Sequence, residues 1–201
     1  MNDRTTDPFL WIIPLLLTIF GILMIFSLTS HTSLEEHGTP FALGMRQAEW
    51  LLAGLCAMVA MFMIPVSFWE KHSGKLWLFS LFLLALTLAP GVGIKAGGAR
   101  RWIGAGGIRF QPIELAAMAV AIHLSKVLVR SGKKGISAFV SVTVPVLILS
   151  ILPLLFQPNI GGTILIFGLA MAVHVHCRGW SWPFIAGVAG FPFFFMLFIR
   201  A

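Results

Sequence analysis

Repeated apolar stretches, each about as long as a membrane is thick, constrain this chain more than any other feature. A helix needs roughly 20 apolar residues to cross the hydrocarbon core of a bilayer. Of the 201 residues, 58% are hydrophobic and only 10% are charged, which excludes an ordinary soluble domain. We therefore predict an all-α, polytopic transmembrane bundle that forms one integral-membrane domain over residues 1–201. The seven predicted spans are residues 9–30, 48–66, 76–94, 111–129, 137–156, 159–176 and 182–199.

Loop charge predicts how these helices are oriented in the membrane. The 67–75 and 125–135 loops are basic, whereas the 31–47 loop is acidic. Because basic loops stay in the cytoplasm, we place the N-terminus there. Tryptophans near the predicted span ends are expected to be interfacial anchors, and these are Trp11, Trp50, Trp69, Trp77, Trp180 and Trp182.

The 95–110 loop does not fit this orientation. Strict alternation of the spans places it outside, yet it is basic, with Lys95, Arg100, Arg101 and Arg109. Guanidinium groups bind phosphate through paired hydrogen bonds, and glycine lets backbone N–H groups approach an anion closely. We interpret the loop as a binding site for an anionic, lipid-linked substrate. Two alternatives stay open, which are a basic loop that only touches lipid headgroups and an error in the span count. The glycines concerned are Gly97, Gly98, Gly104, Gly106 and Gly107.

Two Gln-Pro pairs and one glutamate extend the predicted site. Gln111-Pro112 and Gln157-Pro158 stand where predicted spans begin, and proline favours the first turn of a helix. Both helices would then present their partly positive N-terminal ends to the outer surface. Glu114 lies in the first turn of the fourth predicted span, where a carboxylate needs a polar partner or cavity. We expect it to pair with the loop arginines, to contact the substrate, or both.

The residues of this region resemble the motifs of a known family. Gly98-Ala99-Arg100-Arg101-Trp102-Ile103 and Arg109-Phe110-Gln111-Pro112-Ile113-Glu114-Leu115 resemble the SEDS (FtsW/RodA/SpoVE) family of bacterial shape, elongation, division and sporulation proteins. Gln157-Pro158-Asn159-Ile160-Gly161-Gly162 is similar to the family's Gln-Pro-Asp-Leu-Gly-Thr motif. The resemblance implies a peptidoglycan glycosyltransferase of the bacterial cytoplasmic membrane. Such a protein polymerises lipid II, the undecaprenyl-diphosphate-linked precursor, on the outer face, beside a class B penicillin-binding protein.

The resemblance also implies which residues bind the substrate. The expected set is Arg100, Arg101, Trp102, Arg109, Gln111, Glu114, Gln157 and Asn159. We identify no zinc-ligand spacing, no Walker-type phosphate loop and no dinucleotide motif, and a need for a divalent cation is left open.

Departures from the family pattern limit what the resemblance implies. Family members have about ten spans and carry a catalytic aspartate in a loop that follows the seventh, whereas this sequence stops at Ala201. Asn159 stands where the family has aspartate, Ala117 where many members have lysine, and Ile113 where a small residue is usual. We expect either a fragment of a longer protein or a shortened relative, and we expect that these 201 residues alone do not polymerise lipid II.

Two other functions remain as alternatives. A non-catalytic membrane protein would hold lipid II or a division partner without turning it over, and the substitutions at 113, 117 and 159 favour it. A transporter of lipid-linked precursors would need polar residues along a path through the membrane, where Glu114 is the one well-placed ionisable residue of the outer half. Whether the process is elongation, division or sporulation stays open.

Overall fold

Helices dominate the structure, as predicted. The structure is a computed structural model that describes residues 9–96, 99–105, 108–179 and 190. The seventh predicted span lies outside the described residues apart from residue 190. In chain order the elements are α1 (Phe9–His37), α2 (Ala42–Met63), α3 (Val66–Leu86), β1 (Gly93–Ala96), β2 (Ala99–Ala105), β3 (Ile108–Phe110), α4 (Pro112–Ser131), α5 (Gly135–Ala138), a π-helical turn (Phe139–Thr143), α6 (Val144–Phe156) and α7 (Ile160–Arg178).

The chain divides into two compact units, Met1–Pro65 and Val66–Ala201. In the first unit, α1 and α2 pack against each other across a short turn. The Ser33 hydroxyl closes this turn, because it donates to the Thr39 carbonyl at 2.7 Å and accepts from the Leu43 backbone N–H at 3.3 Å. The helices therefore cover most of the segment that the sequence predicts as an acidic loop.

The second unit packs α3, α4, α6 and α7 around one buried core. Helix α4 contributes a face of small and branched side chains to this core. Ala116 and Ala119 are fully buried there, and small residues let neighbouring helices approach closely. Val120, Leu124 and Leu128 continue the buried face, at the spacing that places side chains on one side of a helix. The alanines of α4 therefore explain why it packs closely against its neighbours α3 and α7.

Trp77 is buried in this core and does not face the surface, so its expected role as an interfacial anchor is wrong. The side chain is 8% exposed, and its indole N–H donates to the Ser150 hydroxyl at 3.0 Å. Its ring stacks on the His123 ring with centroids 4.7 Å apart. A buried indole needs a hydrogen-bond acceptor, and Ser150 on α6 supplies it.

Four helical segments of the described part are long and apolar enough to cross a membrane. They are Ile12–Glu35, Pro112–Ser131, Gly135–Phe156 and Ile160–Arg178, and α2 with α3 counts as a fifth only when the two are taken together. The count of seven spans and the cytoplasmic N-terminus stay predictions.

The largest boundary difference concerns the third predicted span. The sequence predicts residues 76–94, whereas α3 begins at Val66 and ends at Leu86. The first turns of α3 carry Glu70 and Lys71, and these charges hide the start of the helix from a search for apolar residues. The predicted basic loop at residues 67–75 is therefore part of a helix.

Candidate anion-binding site

The basic segment between α3 and α4 is a small antiparallel sheet, whereas the sequence predicts a loop. Strand β2 pairs with β1 on one side and with β3 on the other. The strands carry the four cations of the segment, with Lys95 on β1, Arg100 and Arg101 on β2, and Arg109 on β3. Gly97, Gly98, Gly106 and Gly107, which were expected to approach an anion, lie outside the described residues.

Lys95 and Arg100 form a like-charge pair across this sheet. The two residues are direct partners in the register of β1 and β2. In the described ranges, neither has a carboxylate within the 4.0 Å that defines an ion pair. Like charges placed directly opposite on neighbouring strands destabilise a sheet. An anion bound between them would remove that repulsion.

Arg101 has a different environment from Arg100. Ile94 pairs with Trp102 and Lys95 with Arg100, so Arg101 is the extra residue of a β-bulge. A bulge redirects a side chain away from the regular alternation of a strand. The Arg101 guanidinium donates to the Pro158 carbonyl at 3.2 Å. The two motifs that the sequence singled out therefore meet through Arg101.

The expected cluster of three arginines is therefore divided in the structure. Arg101 is bound to backbone, and its Nε atom is buried with no hydrogen-bond partner among the described residues. Arg109 is exposed and stands opposite Gly104 on β2. Arg100 and Arg109 remain available to a ligand, and Lys95 joins them.

Gln157 is buried, although we expected it to contact the substrate. Its side chain is 2% exposed, and its amide donates to the Leu84 carbonyl at 2.8 Å and to the Thr87 hydroxyl at 2.6 Å. The last carbonyls of a helix lack partners within the helix, and Gln157 supplies one at the end of α3. This residue therefore positions α3 against α6 and has no free amide hydrogen for a ligand.

Asn159 is also buried, and it caps α7. Its side-chain oxygen accepts from the Gly162 backbone N–H at 3.1 Å, and its carbonyl accepts from the Thr163 N–H at 3.0 Å. A Cβ on Gly162 would lie 2.8 Å from the Asn159 amide nitrogen, so a larger residue there would require the Asn159 side chain to shift. Asparagine and aspartate are both good N-terminal caps. The change from the family's aspartate to Asn159 is thus compatible with the same local structure.

Thr87 and Gly93 connect Gln157 to the basic sheet. A Cβ on Gly93 would collide with the Thr87 carbonyl and would lie 3.1 Å from the Arg100 Cβ. Strand β1 therefore packs directly on the residue whose hydroxyl Gln157 binds. Thr87 and Gly93 were missed as site residues, and the glycine two residues before Lys95 is the one sequence signal that points to them.

The remaining predicted residues lie where the sheet leads into α4. Gln111 precedes the helix as its N-terminal cap, and Pro112 occupies the first turn as predicted. Glu114 is exposed in that turn, and no ion pair forms between it and Arg100, Arg101 or Arg109 in the described part of the chain. A carboxylate is favourable near the positive end of a helix dipole. Trp102 is half-buried on β2.

Comparisons with known proteins agree on one family. Residues 7–201 match the sequence profile of the FtsW/RodA/SpoVE family, described as a cell cycle protein. The chain is 33% identical over 196 residues to a probable peptidoglycan glycosyltransferase FtsW of Nitrosococcus halophilus, covering 94% of this chain and 50% of that protein. It is 34% identical over 159 residues to a protein of the same name in Legionella pneumophila, covering 78% and 40%. The chain thus spans about half the length of the curated relatives it matches.

Solved structures show the same fold. The rod shape determining protein RodA of Thermus thermophilus is 27% identical with a TM-score of 0.63, over 88% of this chain and 58% of that one. A chain from a structure described as "Structural coordination of polymerization and crosslinking by a peptidoglycan synthase complex" is 26% identical with a TM-score of 0.63. That match covers 87% of this chain and 54% of the other.

Proposed function

The chain belongs to the FtsW/RodA/SpoVE family of cell cycle proteins, and from this membership we propose that it supplies the substrate-binding part of a peptidoglycan glycosyltransferase. It is a bacterial membrane protein. In this proposal the chain crosses the inner membrane several times and binds lipid II at the basic sheet. The product is the glycan strand of the cell wall, made during elongation or division.

The like-charge pair of Lys95 and Arg100 is the observation that carries this proposal. Lipid II joins its sugars to a lipid through a diphosphate, which is a compact double anion. Two cations held opposite each other, with no carboxylate partner in the described part of the chain, suit such a ligand. Arg109 lies one strand away and adds an exposed guanidinium. The charges of Lys95 and Arg100, which repel each other across the sheet, would stabilise the complex with the diphosphate.

The position of the sheet along α4 supports a site on the outer face. The sheet ends at Phe110 and α4 begins at Pro112, so the two are almost continuous. Helix α4 has 20 residues, which corresponds to about 30 Å at 1.5 Å per residue. Lys126 and Arg130 are near the opposite end of this helix. If that basic end is cytoplasmic, the sheet lies on the outer side.

The chemistry expected of these residues is electrostatic. When the growing strand is transferred to a sugar hydroxyl of the next lipid II, a glycosidic bond forms and the hydroxyl proton passes to the general base. The bond between the strand's terminal sugar and its diphosphate breaks, and negative charge accumulates on the departing diphosphate. Fixed cations at that position stabilise the charge as it develops. Glu114 is free of the arginines in the described residues, so we assign it to a substrate hydroxyl. The general base is expected to be a carboxylate of the whole protein, as in the family.

A cross-linking enzyme is the partner that this function requires. The synthase complex that shares the fold is described as coordinating polymerization with crosslinking. We propose a class B penicillin-binding protein as the partner of the whole protein. The product strand would then be cross-linked next to the site where it is made.

The experiment that tests the proposed function varies the ligand. The purified chain in lipid nanodiscs would be titrated with lipid II, undecaprenyl diphosphate and undecaprenol, with magnesium or with a chelator. We expect the two diphosphates to bind with similar affinity and the alcohol to bind at least about tenfold more weakly, because it lacks the anion. Equal binding of the alcohol would contradict the proposal. The chelator arm measures directly whether a divalent cation accompanies the diphosphate.

A second candidate is a protein that binds lipid II without polymerising it. The structural hydrogen bonds of Gln157 and Asn159 favour it, because the Gln157 amide hydrogens and the Asn159 side-chain oxygen are already bound within the protein. The two functions differ in one assay. In this assay the chain is fused to the half of an FtsW relative that it does not match, and lipid II is added. If the chain is part of an enzyme, the fusion releases undecaprenyl diphosphate. A fusion that folds, binds lipid II and releases none would identify the binding protein.

A further inference from the structure

A cleft lies between α3 and α4, at the end of α4 that is opposite to the basic sheet. It is a cavity of about 510 Å³. Its apolar lining comes from Val66, Ile122 and Val129, with Trp69 beside them, and Lys126 and Arg130 supply positive charge. We propose that this cleft binds one anionic phospholipid of the membrane, with the phosphate at the two cations and an acyl chain along the apolar lining.

The charges of the cleft favour an anion. Arg130 donates to the Glu70 carboxylate at 2.9 Å, so this carboxylate offsets one cation. Lys126 donates to the backbone carbonyl of Glu70 at 2.6 Å, and a carbonyl carries no net charge. Glu70 and Glu114 are the only carboxylate residues in the sequence between 66 and 179, and Glu114 is at the opposite end of α4. The cleft therefore keeps a net positive charge.

The order of residues along α4 matches the order of groups in a lipid. Ile122, Lys126 and Arg130 follow at intervals of four, which places them on one side of the helix. Ile122 and Arg130 are about 12 Å apart along the axis, at 1.5 Å per residue. Lys126 and Arg130 lie near the C-terminal end of α4, where cations reach the lipid headgroups. Ile122 lies further inside the candidate membrane span. Trp69 is half-buried in the first turn of α3, and tryptophan favours the membrane interface.

These features select a phospholipid over a soluble anion. A soluble phosphate would use the two cations and would leave the apolar lining empty. A phospholipid fills both parts of the cleft. The cleft is independent of the basic sheet, which lies at the other end of α4, so this proposal does not depend on the proposed function.

The first arm of the test changes charge. The full chain, purified in detergent, would be mixed with phosphatidylglycerol or phosphatidylcholine, and bound lipid would be counted by native mass spectrometry. Lys126→Gln with Arg130→Gln should weaken phosphatidylglycerol binding about tenfold, since each cation contributes about fivefold and Glu70 offsets part of one. Lys71→Gln with Lys75→Gln removes the same charge from exposed positions of α3 outside the cleft, and should leave binding within about twofold.

The second arm changes volume without changing charge. Val129→Trp places a large ring in the cleft, and Val140→Trp places the same ring at an exposed position outside it. We expect only Val129→Trp to lose phosphatidylglycerol, and we expect glycerol phosphate in excess not to displace the lipid. Equal binding of the two lipids by the unchanged chain would overturn the proposal. So would equal losses in a variant and its control, or displacement of the lipid by glycerol phosphate.

Discussion

The Gln157 amide lies 2.6 Å from the Thr87 hydroxyl, and this hydrogen bond connects the second sequence motif to the support of the basic sheet. Thr87 in turn donates to the Leu84 carbonyl at 2.8 Å, so three groups share the end of α3. Gly93 packs on the Thr87 backbone, next to Arg100. Gln157, which was expected to contact the ligand, thus supports the strand that pairs with Arg100.

Removal of the Gln157 side chain should destabilise the protein, because its hydrogen bonds are buried. Gln157→Ala leaves the Thr87 hydroxyl and the Leu84 carbonyl with one partner fewer in a buried position. We expect the free energy of unfolding, measured in mixed detergent micelles, to fall by about 1–3 kcal/mol. Gln47→Ala, at an exposed position of α2, is the matched control and should have no effect. Equal stability of both variants would refute the role of Gln157.

Gly93 should tolerate no side chain. Gly93→Ala forces a Cβ into the Thr87 carbonyl, and backbone cannot move aside as a side chain can. We expect a loss of about 1–3 kcal/mol from overpacking, together with weaker lipid II binding because Arg100 moves with the strand. Gly168→Ala has nothing within 4 Å and should be neutral or slightly stabilising. A Gly93→Ala variant as stable as the Gly168→Ala variant would show that β1 does not pack on Thr87.

Replacements of Asn159 should show that its side-chain oxygen caps α7. Asn159→Ala removes the acceptor of the Gly162 N–H and should cost about 1 kcal/mol of stability. Asn159→Ser keeps a capping oxygen and should cost less than half of that. The free energies of unfolding of the two variants measure how much the capping oxygen contributes. If Ala and Ser are equally harmful, the oxygen is not acting as a cap.

Trp77 should contribute to stability through its N–H group. Trp77→Phe keeps an aromatic ring against His123 but loses the hydrogen bond to Ser150. We expect a cost of about 0.5–1.5 kcal/mol in the same unfolding measurement. Trp50→Phe, at a position that is 49% exposed, should change stability little. The opposite ranking would show that the hydrogen bond from Trp77 to Ser150 does not stabilise the fold.

Local patterns in the sequence predicted the helices that begin with a clear signal. Residues 111–129 became Pro112–Ser131, because proline fits the first helical turn and Gly132 ends the helix in a left-handed conformation. Residues 159–176 became Ile160–Arg178, with Asn159 as the cap. The start of α3 was missed because it is charged, although charged residues such as glutamate and lysine form helices well.

The sheet and the roles of its arginines could not be predicted from local sequence patterns. Glycine and arginine give short strands no alternation of polar and apolar residues, so nothing in the segment indicates pairing. The role of Arg101 depends on a bulge and on a carbonyl 57 residues away in the chain. The sequence therefore indicated which residue types are suited to an anion but not which of them are engaged within the fold.

The affinity for lipid II of Lys95→Gln with Arg100→Gln tests the central claim most directly. The claim is that this like-charge pair, and not positive charge in general, binds the diphosphate. The control is Lys71→Gln with Lys75→Gln, which removes the same charge from exposed positions of α3. We predict that the first variant weakens binding at least about tenfold, since charge-assisted hydrogen bonds to phosphate are lost, and that the control binds as the unchanged chain does. Unchanged affinity in the first variant, or an equal loss in both, would contradict the claim.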